Sequence, residues 1–271
     1  MDKLLFGISG IPLGKGEKFD YCSGIEYLNF LGLDAMELPF VRSVNVTAKN
    51  KDKILNMKNK TGMYLSAHGS YYINLNSKEE EKIEKSKERI IKGSEALESV
   101  GGKSLVFHAG YYLDSSKEET LDKIKAQLND LPAGNVCYRL ETTGKATQFG
   151  DLIELTNIAK EIPNCNLCID FSHIHAREGG SLKNYSDFAR ILDYIGDNLG
   201  EMALKDMHIH ISGINYTSKG ERNHLPLLES DFKYKECIKA LADFNVKGCV
   251  ICESPILEND ALLLKETYFN S

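Results

Sequence analysis

Short apolar runs rich in β-branched and aromatic residues alternate along the chain with longer charged stretches of helical periodicity. The short runs predict strands over Leu4–Ser9, Ala35–Pro39, Met63–His68, Ser104–His108, Val136–Glu141, Leu167–Phe171, Met207–Ile211 and Cys249–Glu253. The clearest helix is expected from Lys78 to Val100, with Ser77 and Glu80 in capping-box register and Gly101-Gly102 as its stop. Further helices are expected over Ile25–Leu31, Lys117–Leu128, Phe149–Glu161, Tyr185–Ile195, Phe232–Phe244 and Asn259–Tyr268. Eight strands alternating with helices imply an α/β protein built as a single closed parallel (β/α)8 TIM barrel over residues 1–271. An open doubly wound sheet is the alternative. It would want a glycine-rich phosphate loop after the first strand, and Gly7-Ile8-Ser9-Gly10 is too sparse for one. No linker, repeat or low-complexity stretch divides the chain, and its 271 residues suit a barrel of about 250.

Composition narrows this picture. Apolar residues make up 42% of the chain, enough for a sizeable core. There is no apolar run of about 18 residues, and the first residues lack a basic segment leading into an apolar one, so a cytoplasmic protein without membrane association is expected. The seven cysteines are an odd number without framework spacing and read as buried, reduced thiols. Cys165-Asn166-Leu167-Cys168 has the spacing of half a zinc site, but no second pair completes it. A formal net charge of −6 argues against gripping nucleic acid by bulk positive charge. Bound divalent cations would supply positive charge locally, so nucleic acid is not excluded.

The candidate chemistry lies at the strand ends. His68, His108, Glu141, Asp170, His210 and Glu253 each fall at or near the C-terminal end of a different expected strand, the end where barrels of this kind build their sites. One such histidine is ordinarily just a satisfied polar group. Several imidazoles and carboxylates gathered at one mouth would be costly to bury without a cation. A set of imidazole and carboxylate ligands without thiolate suits Zn2+, Mn2+ or Fe2+. Glu141, on a central strand, could bridge two metals. Asp170 and His173 stand three residues apart, so a strand end followed by a turn would let them serve neighbouring metals. His208 and His210 share a strand face, and His210, nearer the loop, is the favoured ligand.

Five segments carry a resemblance: His68-Gly69-Ser70-Tyr71-Tyr72-Ile73-Asn74-Leu75, Val106-Phe107-His108-Ala109-Gly110, Leu140-Glu141-Thr142-Thr143-Gly144, Cys168-Ile169-Asp170-Phe171-Ser172-His173 and Ile251-Cys252-Glu253-Ser254-Pro255. In these the chain resembles the endonuclease IV family of apurinic/apyrimidinic DNA endonucleases, within the xylose isomerase-like barrels. The resemblance implies up to three zinc ions. His68, His108 and Glu141 would hold the first, and Glu141, Asp170, His210 and Glu253 the second. His173 and His224 with one further carboxylate would hold the third. It also implies Glu141 or Glu253 as the group that orients water or takes its proton, and Tyr71 as a side chain that packs into DNA beside the lesion. The substrate would be double-stranded DNA with abasic sites, cut on the 5′ side by a monomer. The chain departs from the family at the third metal. Where the family has Asp-x-His, this chain has Arg222-Asn223-His224, and Glu221 can substitute only if the loop shifts by one residue. A sugar isomerase or epimerase using one or two divalent metals on Glu141, Asp170, His210 and Glu253 is the competing reading.

Overall fold

The computed structural model describes residues 2–271; Met1, the first residue of the expected domain, lies outside the described residues. In chain order the elements are β1 (Leu4–Ser9), α1 (Tyr21–Phe30), β2 (Ala35–Pro39), α2 (Lys51–Thr61), β3 (Tyr64–His68), α3 (Glu80–Ser99), β4 (Ser104–Phe107), α4 (Lys117–Asn129), β5 (Cys137–Glu141) and α5 (Leu152–Glu161). They continue with β6 (Cys165–Asp170), α6 (Phe171–Arg177), α7 (Tyr185–Leu199), β7 (Met207–Ile211), β8 (Gly213–Thr217), β9 (Gly220–Leu225), α8 (Tyr234–Asp243), β10 (Gly248–Cys252) and α9 (Glu258–Phe269). Parallel pairing runs β1-β10-β7-β6-β5-β4-β3-β2 and closes back on β1, which is the expected α/β TIM barrel. The closing seam pairs Leu4 with Gly248 and Ile8 with Cys252.

The period-2 alternation of each strand sorts its side chains between two environments. Phe6, Ile8, Met36, Leu38, Leu65, Leu105, Phe107, Leu140, Leu167, Ile169, Ile209, Ile211 and Val250 belong to the apolar shell shared with the helices. The intervening residues face the barrel interior. A small plug of Ala35, Cys249 and Ile251, with Leu5 and Tyr64 against it, is the apolar part of that interior. The rest is polar. Arg139, 3% exposed, donates to Ser104 Oγ and to the backbone and carboxylate of Asp206. Above it, towards the C-terminal ends of the strands, the interior holds Glu37, Ser66, His208, His210, Glu141 and Asp170, all buried. An interior that cannot be filled by apolar contact alone must be closed by hydrogen bonds or by cations.

Local sequence explains most helix starts. Asp20, Ser116, Asp151 and Asn184 each cap a helix by accepting a backbone N–H, and Ser23, Glu119, Glu154 and Asp187 return the bond as capping boxes. The box expected at Ser77 and Glu80 is absent. Helix α3 starts after Glu79, which makes no side-chain cap, and Ser77 Oγ accepts instead from the Glu79 N–H in a tight turn. The helix expected from Phe149 starts at Leu152, because Phe149 is buried in the preceding loop and its N–H goes to the Gly110 carbonyl. Helix α2 and the antiparallel β8–β9 hairpin were not expected: Lys51–Thr61 buries only Ile54 and shows little apolar periodicity, and the hairpin strands are short and mostly polar.

Gly248 occupies a position that no other residue fits. It has φ +121°, and a Cβ there would lie 1.9 Å from the Met207 carbonyl oxygen of the adjacent strand. Gly248→Ala is therefore expected to destabilise the barrel by about 3 kcal/mol or more, read as a lowered urea midpoint with an unchanged slope.

Candidate metal centre

Glu141, at the end of β5, lies at the centre of the mouth with a fully buried carboxylate. Its Oε2 is 3.0 Å from His68 Nε2 and 3.4 Å from His108 Nε2. Its Oε1 is 3.2 Å from His210 Nδ1 and 3.3 Å from His173 Nδ1. One carboxylate thus faces four imidazoles brought from β3, the loop after β4, α6 and β7. Four groups of side chains bring ligand atoms within 4.8 Å of one another, three of them at the mouth: His68, His108 and Glu141; Glu141, Asp170, His210 and Glu253; and Asp170, His173 and His224. Glu141 and Asp170 are each shared by two groups.

The turn expected after Asp170 is the first turn of α6. Asp170 is its N-cap, accepting from the His173 N–H at 2.7 Å, so the two residues lie one helical turn apart and face the same space. His173 Nδ1 is 3.0 Å from the Thr142 carbonyl and donates to it, which turns its Nε2 lone pair towards the hairpin. His224 Nδ1 is likewise tied to the Glu253 carbonyl at 3.0 Å, which leaves its Nε2 free. The two free Nε2 atoms face each other at 3.5 Å, and Glu221 Oε2 stands 3.5 Å from that of His173.

Glu221 reaches this space through a β-bulge. In β8–β9 the register passes from Asn215 opposite Asn223 to Tyr216 opposite Glu221, so Arg222 is an extra residue with no partner. In a regular strand residues three apart point to opposite faces; the inserted Arg222 brings Glu221 and His224 to the same one. The bulge brings Glu221 to within 3.5 Å of His173, but the ligand group there is Asp170, His173 and His224.

The donor set fits divalent cations. Asp170 Oδ2 and His108 Nδ1 are buried without a hydrogen-bond partner, and the Nε2 atoms of His173 and His224 face each other at 3.5 Å, where either a proton or a cation can join them. The ionisation pattern agrees. Burial draws His68 towards its neutral form, yet the hydrogen bond and charge of Glu141 outweigh it and hold His68 up at about 9. His173 and His210 are also held well above the ordinary histidine range against burial, His173 by Asp170 and Glu141 and His210 by Cys168, Glu253, Glu37 and Glu141. Burial lowers His108 to about 4. Burial, with Glu141 and Glu253 beside it, raises Asp170 to about 6. Metals require neutral imidazole and ionised carboxylate, so a bound cation would displace the protons of His68, His173 and His210, while His108 already has the form it needs.

Glu37 is a residue that sequence reasoning passed over. Its strand was recognised, and an acidic residue inside the apolar run Met36-Glu37-Leu38 was the available signal. Its Oε2 accepts from Ser66 Oγ at 2.8 Å and from His208 Nε2 at 2.9 Å, and its Oε1 lies 3.1 Å from His210 Nε2. The charge of Glu37 thus stands behind His210, whose Nδ1 faces Glu141 and Glu253, although the Glu37–His210 contact is an ion-pair distance rather than an aligned hydrogen bond. His208 hydrogen-bonds Glu37 and Cys249 below the mouth, while His210 faces it. Cys168 joins the two histidines from the same level; Cys165 and Cys168 do not form a ligand pair.

The mouth is a recess of about 430 Å3 lined by Ser9, Tyr71, Tyr111, Lys145, Gln148 and the candidate ligands. Tyr71 is 62% exposed on its rim, its ring 5.7 Å from that of His68. Residues 25–267 match the family model of the xylose isomerase-like TIM barrel. The chain belongs to that family. An uncharacterized protein of Methanocaldococcus jannaschii is 47% identical over 271 residues, covering 98% of this chain and 97% of that protein. An endonuclease 4 homolog of Dictyostelium discoideum is 27% identical over 164 residues, which is 58% of this chain but only 30% of that protein. Two solved structures share the fold with a TM-score of 0.74 each: a D-tagatose 3-epimerase-like protein, 21% identical over 98% of this chain and 96% of its own, and the endonuclease IV of Thermus thermophilus, 18% identical over 98% of both. Membership and shape leave the choice between hydrolase and epimerase to the site itself.

Two outcomes follow from the ionisation pattern and from Glu37. At pH 7.5 the metal-free protein carries protons on His68, His173 and His210 that a bound cation displaces. Zinc binding is expected to release protons and to weaken roughly tenfold per pH unit for each proton released as pH falls from about 9, with Asp170 adding one more below about 6. Calorimetric titrations in two buffers of different ionisation heat measure the release; none at pH 7.5 would contradict the assignment. Glu37→Gln is expected to lower metal affinity by about 10-fold by calorimetric titration, and to lower the melting temperature of the metal-free protein as well, because it removes the buried charge beside His208 and His210.

Proposed function

We propose that the protein is a metal-dependent apurinic/apyrimidinic DNA endonuclease that hydrolyses the phosphodiester on the 5′ side of an abasic site. The observation that carries this reading is a pair of imidazoles outside the four-residue set an isomerase would need: His173 and His224 join Asp170 in a third group, their Nε2 atoms 3.5 Å apart, and Glu221 Oε2 stands 3.5 Å from that of His173. The likeness to the endonuclease 4 homolog supports it. His68, His108 and Glu141 would hold one cation, Glu141, Asp170, His210 and Glu253 a second, and His173, His224 and Glu221 a third. Zinc suits these donors best, and Mn2+ or Fe2+ are compatible with them. Cations bound there would supply Lewis acidity to the phosphate oxygens and make water acidic enough to attack near neutral pH.

The remaining work falls to side chains. Glu141 has both oxygens committed to four imidazoles, so it organises ligands and does not take protons in turnover. Glu253 borders the recess with its Oε1 3.6 Å from His210 Nδ1, and is the better placed of the two to orient the attacking water and accept its proton. Tyr71, exposed on the rim, would stack in the gap that a missing base leaves in duplex DNA. An abasic nucleotide has no base to unpair and enters the recess at little cost.

A second reading has its own observation. Glu141, Asp170, His210 and Glu253 form a complete group, and the fold matches a D-tagatose 3-epimerase-like protein as well as it matches an endonuclease. An epimerase would use that group alone.

The deciding experiment is incubation of zinc-loaded protein with duplex DNA carrying one tetrahydrofuran abasic analogue. The expected result is a single nick 5′ to the analogue that disappears on chelation and is restored by zinc. His224→Ala is expected to slow it by about 100-fold or more. Absence of a nick, together with epimerisation of a ketohexose that His224→Ala leaves intact, would overturn the endonuclease in favour of the epimerase.

A further inference from the structure

Beside the metal-centre mouth lies a second recess, of about 240 Å3, between the loop after β2 and helix α3. Ser70 lines both, so the two adjoin. Arg42, Arg89 and Lys92 contribute the charge of this second recess, and Ser43, Gly69 and Ser70 contribute to its walls; no carboxylate lines it. Arg89 and Lys92 are three residues apart on α3 and therefore share a face of that helix.

What distinguishes these cations is that three of them line one recess beside the mouth with no carboxylate among its walls. Elsewhere on and just before α3 each of Lys78, Lys82, Lys85 and Lys87 pairs with a carboxylate: Asp114, Glu79, Glu81, and Glu84 with Asp130. Arg42, Arg89 and Lys92 make no ion pair among the described residues, although the chain carries a net charge of −6 and has carboxylates to spare. Arg89 is instead held by the ring of Tyr72, its guanidinium carbon 5.8 Å from the centroid. Three unpaired cations on one recess of an acidic protein mark a place for an anion.

We propose that Arg42, Arg89 and Lys92 form a phosphate-binding subsite that takes a second phosphate of the substrate bound at the metal centre. This rests on the endonuclease reading for the substrate's identity. A nucleic-acid strand carries a charge every 3.4 Å or so of its axis, so a strand with one phosphodiester at the metals has others within reach of a neighbouring recess. A neutral sugar has none, and a sugar phosphate has one. The subsite therefore bears on which substrate class the mouth accepts. The cations act on binding and alignment and do not touch the reacting atoms.

The test is the affinity of an Arg42→Ala/Arg89→Ala/Lys92→Ala variant for a fluorescein-labelled 20-base-pair duplex with one tetrahydrofuran analogue. It is read by anisotropy in chelator, so that no cleavage is needed, across a series of salt concentrations. The slope of log Kd against log salt is expected to flatten by about 0.9 for one phosphate no longer neutralised, with Kd weakened about 10-fold near physiological salt. Lys103→Ala, which removes a charge beside the N-terminal end of β4 at the opposite end of the barrel, is expected to leave both unchanged. An Arg42→Lys/Arg89→Lys variant keeps the charge and is expected to retain most of the affinity, which separates an effect of charge from an effect of misfolding. Unchanged slope and affinity in the triple variant would overturn the proposal. A parallel calorimetric arm uses ribose 5-phosphate. Binding of that ester by the native protein but not by the triple variant, with duplex affinity the same in both, would overturn the nucleic-acid source and assign the recess to a sugar phosphate. Failure of the native protein to nick abasic DNA is a separate readout and leaves the binding comparison intact.

Discussion

The structure depends on one carboxylate held among four imidazoles. Glu141 has two oxygens, and His68, His108, His173 and His210 approach them within 3.4 Å from three other strand ends and a helix. Buried in a medium of low dielectric, such a cluster cannot hold neutral imidazoles and ionised carboxylates together without added positive charge. Protons supply it in the metal-free molecule, which is why His68, His173 and His210 are held above the ordinary histidine range although burial opposes it. Cations would supply it in the loaded one.

The barrel makes this concentration of polar groups tolerable. Outward residues of every strand pack into a continuous apolar shell with the helices, and that shell carries the hydrophobic stabilisation. The interior is thereby released from the task of being an oily core. It descends from the ligands at the mouth through Glu37, Ser66 and His208 to Arg139 and Asp206, each joined to a neighbour by hydrogen bonds, with a small apolar plug between. Glu37 belongs to both levels: it accepts hydrogen bonds from Ser66 and His208 and stands behind His210. A substitution there would act on the candidate metal centre without touching its opening.

What separates the competing chemistries is added to the barrel rather than part of it. Helix α6 and the β8–β9 hairpin lie outside the eight-stranded repeat, and they bring His173, Glu221 and His224 to the mouth. The four candidate ligands on strand ends or immediately after them, Glu141, Asp170, His210 and Glu253, are the part that a sugar-epimerising barrel could share. Arg42, Arg89 and Lys92 gather positive charge beside the mouth of a chain whose net charge is −6. Fold and family leave that choice open; the inserted segments narrow it.

The sequence by itself determined the barrel and the ends of its strands. Strands Leu4–Ser9, Ala35–Pro39 and Met207–Ile211 were legible to the residue, because strands buried on both faces read as compact β-rich runs between helical periods. His68, His108, Glu141, Asp170, His210 and Glu253 could be singled out because a parallel barrel gathers strand ends whatever its helices do. Only the tertiary structure decided the rest. The start of α6 at Asp170 needed a helix too short to show a period. Glu37 stood within an apolar run and revealed its partners only when β2 came round to face β7 across the interior. The position of Glu221 depended on one unpaired residue in a polar hairpin: a bulge is a mismatch between two strands, and a mismatch cannot be read from either strand alone.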